Sequence, residues 1–125
     1  MKKLLCLFAM AAFMFAFASS VQAQQGIKNA TGCTQLVKFA YGNPFTCTAT
    51  GDLTYTLAPF TSIWPLPIPL GQEIIAAKGA EISFACGPWY IGLPCSGYPP
   101  GVLVPCGVCG DYKVVLEPDG IILYQ

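Results

Sequence analysis

Residues 86–109 read CGPWYIGLPCSGYPPGVLVPCGVC. The stretch holds four of the chain's seven cysteines and three aromatics, Trp89, Tyr90 and Tyr98. Gly or Pro stands at almost every second or third position. Proline removes backbone donors and glycine costs conformational entropy, so the run suits neither a helix nor a regular strand. It needs covalent staples to hold one shape. The rest of the chain then reads as a small β scaffold that carries a stapled loop.

Outward from that loop, the cysteines set the framework. Cys6 stands apart in an apolar N-terminal run. The other six are Cys33, Cys47, Cys86, Cys95, Cys106 and Cys109. An even number in a small exported chain reads as three disulfides. The expected pairing is local and nested: Cys33 with Cys47, Cys86 with Cys109, Cys95 with Cys106. It leaves no thiol over and avoids a strained small ring inside Cys106-Gly107-Val108-Cys109. That C-x-x-C spacing also occurs in redox and zinc sites. A redox pair wants a helix N-terminus to lower the thiol pKa. A zinc site wants a second close pair or histidines. Neither accompanies it, so no cofactor or metal is expected.

Export is read from the first 23 residues. Lys2 and Lys3 form a positive start, Leu4 to Ala18 carry no charge, and Val21-Gln22-Ala23 matches a small-x-small cleavage pattern. The expected cut lies between Ala23 and Gln24, and Cys6 leaves with the signal. The apolar run is short for a membrane span of about 20 residues, so no stable span is expected after cleavage. Residues 24–125 then form one domain that is secreted, periplasmic or on the cell surface.

The cleaved chain has four lysines against six acids and neither Arg nor His. A net charge near −2 argues against nucleic acid, which asks for a basic surface to neutralise phosphates, and against a polybasic membrane site. All 11 prolines and 13 glycines lie after residue 23. They punctuate apolar alternating segments, as expected of a turn-rich β domain.

The strands follow from that alternation. Gln24 to Ala30 is expected as an edge strand, and Asn29-Ala30-Thr31 is a glycosylation sequon. Thr34 to Tyr41 places Val37, Phe39 and Tyr41 on one face and Lys38 on the other. Asp52 to Leu57 alternates Leu53, Tyr55 and Leu57 with polar residues. Gln72 to Ala77 is ambiguous between strand and helical turn, Lys78-Gly79 is expected to turn the chain, and Glu81 to Cys86 alternates again. Tyr112 to Leu116 and Ile121 to Tyr124 flank Glu117-Pro118-Asp119-Gly120, a hairpin with an expected Gly bulge.

Prolines 65, 67 and 69 strip the donors from one edge of Trp64 to Leu70. The segment reads as an edge strand blocked against pairing, with Trp64, Leu66, Ile68 and Leu70 on one apolar face. A polyproline II ligand is the alternative. Together these signals give an all-β fold, a small disulfide-stapled antiparallel sandwich or barrel with little or no helix. Ile27-Lys28-Asn29 with Cys33 and Val37 is faintly similar to the opening strands of thaumatin-like proteins. The chain is too short for that fold, and the acidic cleft of that family has no counterpart.

Catalysis has little to draw on. No His can serve as base and no Arg as clamp, and Ser62, Ser83 and Ser96 have no activator in sequence. The carboxylates are scattered beside turns and on polar strand faces. The expected function is a non-enzymatic binding or structural module that contacts a protein or glycan partner through residues 86–109. A secreted inhibitor or toxin-like effector acting on a protein is the alternative. Trp89, Tyr90, Tyr98 and Trp64 are the expected contact residues, since rigid aromatics cost little to order on binding.

Overall fold

The computed structural model describes residues 24–125. The expected signal segment, with Cys6 and the expected cleavage motif, lies outside the described residues. Nine strands form two packed sheets, and three cysteine pairs are bridged. The strands are β1 (Gly26–Ala30), β2 (Gln35–Gly42), β3 (Ala49–Leu57), β4 (Thr61–Ile63), β5 (Glu73–Glu81), β6 (Trp89–Gly92), β7 (Gly101–Val104), β8 (Tyr112–Glu117) and β9 (Gly120–Tyr124). A five-stranded sheet runs β4-β1-β9-β8-β7, and a four-stranded sheet runs β3-β2-β5-β6. The fold is a small disulfide-stabilised all-β sandwich.

Alternation decides which side chains meet between the sheets. Val37 and Phe39 on β2, Leu57 on β3, Ile74 and Ala77 on β5, and Ile91 on β6 come from one side. Ile27, Tyr112, Val114, Ile121 and Leu123 come from the other. Phe39 stacks on Tyr55 with ring centroids 6.1 Å apart, an offset contact that adds to simple burial. At the β8–β9 turn, Glu117 faces Gly120 across Pro118-Asp119, without the expected bulge in the register. Gly120 has φ +127°, and a Cβ there would collide with the backbone of Gly26. Glycine is required there by both conformation and contact.

Several expectations are corrected. Residues 24–30 do not form an edge: β1 lies inside the sheet, antiparallel to β4 and parallel to β9. The sandwich is therefore not wholly antiparallel. Lys78-Gly79 does not turn the chain, because β5 runs straight through it, paired with β2 and β6. Its apolar pattern is broken by small and polar residues whose packing partners lie on other strands. The strand expected over Glu81–Cys86 ends at Glu81 itself, where Phe84 adopts φ +59° and its N–H donates to Glu81 O at 2.8 Å.

The proline run is not a strand. The edge strand is β4, and the chain leaves it at Trp64. Leu66 is buried at 6%, whereas Trp64 is 55% exposed and Leu70 82% exposed, so the four side chains do not share one face. The Leu66 N–H donates to Gln25 O at 2.8 Å, and the Ile68 N–H donates to Leu66 O at 2.8 Å. Prolines at alternate positions leave too few donors for a ladder, and local turns take the remaining ones.

Asn29 is not available as a sequon. Its side chain is 1% exposed. Its Nδ2 lies within 2.9 Å of Cys33 O, 3.2 Å of Leu57 O and 3.1 Å of Ala58 O. Its Oδ1 accepts from the Thr31 N–H at 3.0 Å and the Thr31 hydroxyl at 2.6 Å. This side chain ties β1 to the start of β2 and the end of β3, a satisfied buried polar network.

Candidate functional site

All six expected cysteines are bridged, but none of the expected pairs forms. The bridges are Cys33–Cys109, Cys47–Cys95 and Cys86–Cys106. The nested scheme assumed that the strands entering and leaving 86–109 are neighbours in one sheet. Instead the segment crosses between sheets. Its β6 pairs with β5 in the four-stranded sheet, and its β7 pairs with β8 in the five-stranded sheet. Cys86 precedes β6 and Cys106 follows β7, so their bridge joins the sheets where the segment crosses. Cys109 reaches back to Cys33 at the head of β2. Cys95 reaches the β2–β3 turn at Cys47. The two halves of the C-x-x-C serve different bridges.

The segment is also not one loop. Prolines bracket two short strands rather than abolishing them: Pro88 and Pro94 lie either side of β6, and Pro100 and Pro105 either side of β7. Between them Pro94–Ser96 forms a single 3-10 turn. The Gly92 N–H then donates to Pro99 O at 2.9 Å, folding the chain back on β6. That return brings Tyr98 onto Tyr90, with the rings stacked at 5.6 Å and 17°. Their exposures are 45% and 42%.

Of the expected contact residues, Tyr90 and Tyr98 come together at the surface. Trp89 does not join them. It is 3% exposed and belongs to the core, because one step along a strand reverses the face. Its ring lies over Gly79, directly opposite on β5, where any Cβ would collide with it. Trp64 sits elsewhere, over Gly26 on the five-stranded sheet.

Tyr90 ends a cross-strand row on the outer face of the four-stranded sheet. Thr54 faces Lys38, Lys38 faces Lys78, and Lys78 faces Tyr90. The row on one side is small, Ala40 facing Ala76 and Ala76 facing Gly92, with Asp52 at its far end. The row on the other side is Thr56, Leu36 and Ala80. Tall side chains flanked by short ones make two shallow depressions, of about 240 and 280 Å³, that share Lys38, Lys78 and Tyr90. Tyr98 walls one, and Phe84, 69% exposed, walls the other.

The electrostatics of this face are unusual in one respect. Lys38 and Lys78 stand directly opposite on neighbouring strands, an arrangement that costs stability. Asp52 lies 3.7 Å from the Lys38 ammonium, with both side chains about half exposed. Such an exposed pair contributes little, and no ion pair engages Lys78 among the described residues.

A third groove, of about 490 Å³, runs between the edges of β6 and β7 and is lined by Gly87, Pro88, Leu103 and Pro105 among others. It offers mostly backbone and apolar side chains, and no titratable group but Tyr90. Among the described residues, no three His, Cys, Asp or Glu side chains gather as a metal site, and no helix is long and apolar enough to cross a membrane.

Sequence reasoning missed Lys38, Lys78 and Phe84. The first two are a site only through the β2–β5 register, and 38 and 78 are far apart in the chain. Phe84 falls within the strand expected over Glu81 to Cys86, on one side with Ile82 and Cys86, but the strand ends before it. No protein family, curated protein or solved structure matches the chain.

Proposed function

We propose that this is a secreted, non-enzymatic binding module whose contact surface is the outer face of the four-stranded sheet. The observation that carries this reading is the Tyr90–Tyr98 stack, half exposed at the end of the Lys38–Lys78 row. A stacked pair held by a folded-back, disulfide-anchored segment is ordered before binding, so little entropy is lost on contact. Tyrosine offers an apolar ring face with a polar tip, which suits the mixed C–H and hydroxyl faces of a sugar. Shallow, open depressions beside it suit an extended polymer better than an enclosed small molecule. The two lysines add attraction for acidic groups along that polymer. The preferred partner is therefore an anionic surface glycan. The three bridges favour the oxidising surroundings of an exported protein.

The test is retention on immobilised acidic and neutral polysaccharides. Parent protein should be retained on the acidic polymer and released by salt. Tyr90→Ala with Tyr98→Ala should abolish retention, and Lys38→Gln with Lys78→Gln should remove the preference for the acidic polymer. Equal retention of parent and tyrosine variant would defeat the reading. So would binding to a protein target that survives both pairs of substitutions.

A further inference from the structure

Two sheets have four edges, and three of the four are guarded. The edge strand β4 has three residues and runs into Pro65, Pro67 and Pro69. The edges β6 and β7 have four residues each and are bracketed by prolines. These are common devices against pairing with another chain. The fourth edge, β3, has neither shortness nor proline to guard it, and its one irregularity is a bulge near its start, where Thr50 is left over between Ala49 and Gly51 in the pairing with β2. It is nine residues long with no proline between Pro44 and Pro59. It carries one charge, Asp52, and no lysine. In an antiparallel ladder, alternate residues turn their N–H and C=O groups toward the neighbour. With β2 on one side only, half of the β3 main-chain groups face outward.

We propose that β3 is a dimerisation edge, and that its partner is β3 of a second copy of this chain. The sequence of the strand is compatible with its own reverse. A two-fold axis at Leu53, the middle residue, pairs the regular stretch from Gly51 to Tyr55 and keeps inward side chains beside inward ones. Asp52 then faces Thr54, so no like charges oppose. Inward-facing Leu53 and Tyr55 are only half-buried in the single chain. Leu53 would meet its own copy at the axis, and Tyr55 would lie beside Gly51, covering apolar surface left at the open side of the core.

The consequence is one continuous eight-stranded sheet. Both copies of the Lys38–Lys78–Tyr90 row would lie on the same face. At a strand spacing of about 4.8 Å, the two Tyr90 positions would be about 34 Å apart. A polymer could engage both, and such linkage raises avidity without new contacts. The dimer itself does not depend on what that face binds, and it is read without any ligand.

The experiment is sedimentation of the exported, oxidised chain over a concentration series, with amide hydrogen exchange on the same samples. The expected result is a monomer–dimer equilibrium in which the outward β3 amides gain protection as dimer forms. Asp52→Lys with Thr54→Lys puts lysine opposite lysine and should weaken the dimer more than about tenfold. Thr54→Lys alone puts lysine opposite the Asp52 of the other copy, twice across the axis, and should strengthen it. Both positions are exposed, so each variant should keep the parent's circular dichroism. A monomer at every concentration would overturn the proposal. So would a dimer whose β3 amides still exchange freely, or one that both variants leave unchanged.

Discussion

The β2–β3 hairpin and residues 86–109 are built on opposite terms. The hairpin spans 35–57 and is held by alternation: inward Val37, Phe39, Tyr55 and Leu57, outward Lys38, Thr54 and Thr56, in a register that shifts only at Tyr41/Gly42. One cysteine, Cys47, lies in it. Residues 86–109 contain two four-residue strands, five prolines and four cysteines. Every bridge among the described residues has at least one end there. Local pattern fixes the first region. In the second, the chain must leave one sheet and join another within a few residues, and covalent links fix where it does so. The difference teaches that proline and glycine density does not exclude strands. It marks strands that cannot hold their place alone.

Removing the links is the strongest way to break this comparison. In the chain-entropy view, bridges at sequence separations of 76, 48 and 20 residues contribute about 4.5, 4 and 3 kcal/mol. Their sum, about 12 kcal/mol, matches the whole stability of a typical domain. Full reduction should therefore unfold the protein, seen as loss of β circular dichroism. Partial reduction should be graded. Amides of β6 and β7 should lose exchange protection before those of β2 and β3. Simultaneous loss in both regions would show that the hairpin has no independent hold.

A sharper version uses two adjacent residues. Trp89 and Tyr90 follow one another on β6 but belong to different worlds, core and surface. Trp89→Ala should cost about 3–5 kcal/mol, the range for emptying a large aromatic site. Tyr90→Ala should cost under about 1 kcal/mol, as exposed substitutions do, while removing the proposed glycan contact. Denaturant titration of the two variants reads the difference. Similar losses would mean that the Tyr90–Tyr98 stack is structural.

The same pair shows what was legible in the sequence. That 86–109 is stapled and carries aromatics can be read from residue types alone, and so can the all-β class and the β8–β9 hairpin. Which aromatic faces outward depends on where β6 begins, and Pro88 conceals that start. The cysteine pairs depend on which strands are neighbours, and β1 shows why this was hidden. Its parallel partner β9 lies about ninety residues later, beyond the reach of any local pattern. The Lys38–Lys78 opposition is of the same kind. Each lysine looks like an ordinary solvated residue until the register brings them face to face.

The smallest expected effect lies at the junction of the two regions. Glu81 ends β5 and hands the chain to the turn that leads to Cys86. Its backbone N–H donates to Cys86 O at 3.2 Å, and the Ile82 N–H donates to Thr34 O at 2.9 Å, next to the hairpin's first strand. The Glu81 carboxylate accepts from the Ser83 hydroxyl and from the Ser83 N–H at 3.1 Å. These bonds, the hydroxyl's first, hold its pKa below the ordinary 4.5, against a smaller opposing influence from burial. A carboxyl group with a lowered folded pKa stabilises the fold when ionised. That contribution is complete above pH 4.5 and is lost as pH falls through the folded value. Glu81→Gln has no such proton to gain. Its melting point should lie below the parent's at pH 7, and the gap should narrow as pH falls below 4.5 and the parent loses its advantage. Ser83→Ala, which removes the main donor, should show the same narrowing. A gap that stays constant with pH would assign the role of Glu81 to packing at the turn rather than to its charge, and would leave the entry to the stapled segment held by backbone bonds alone.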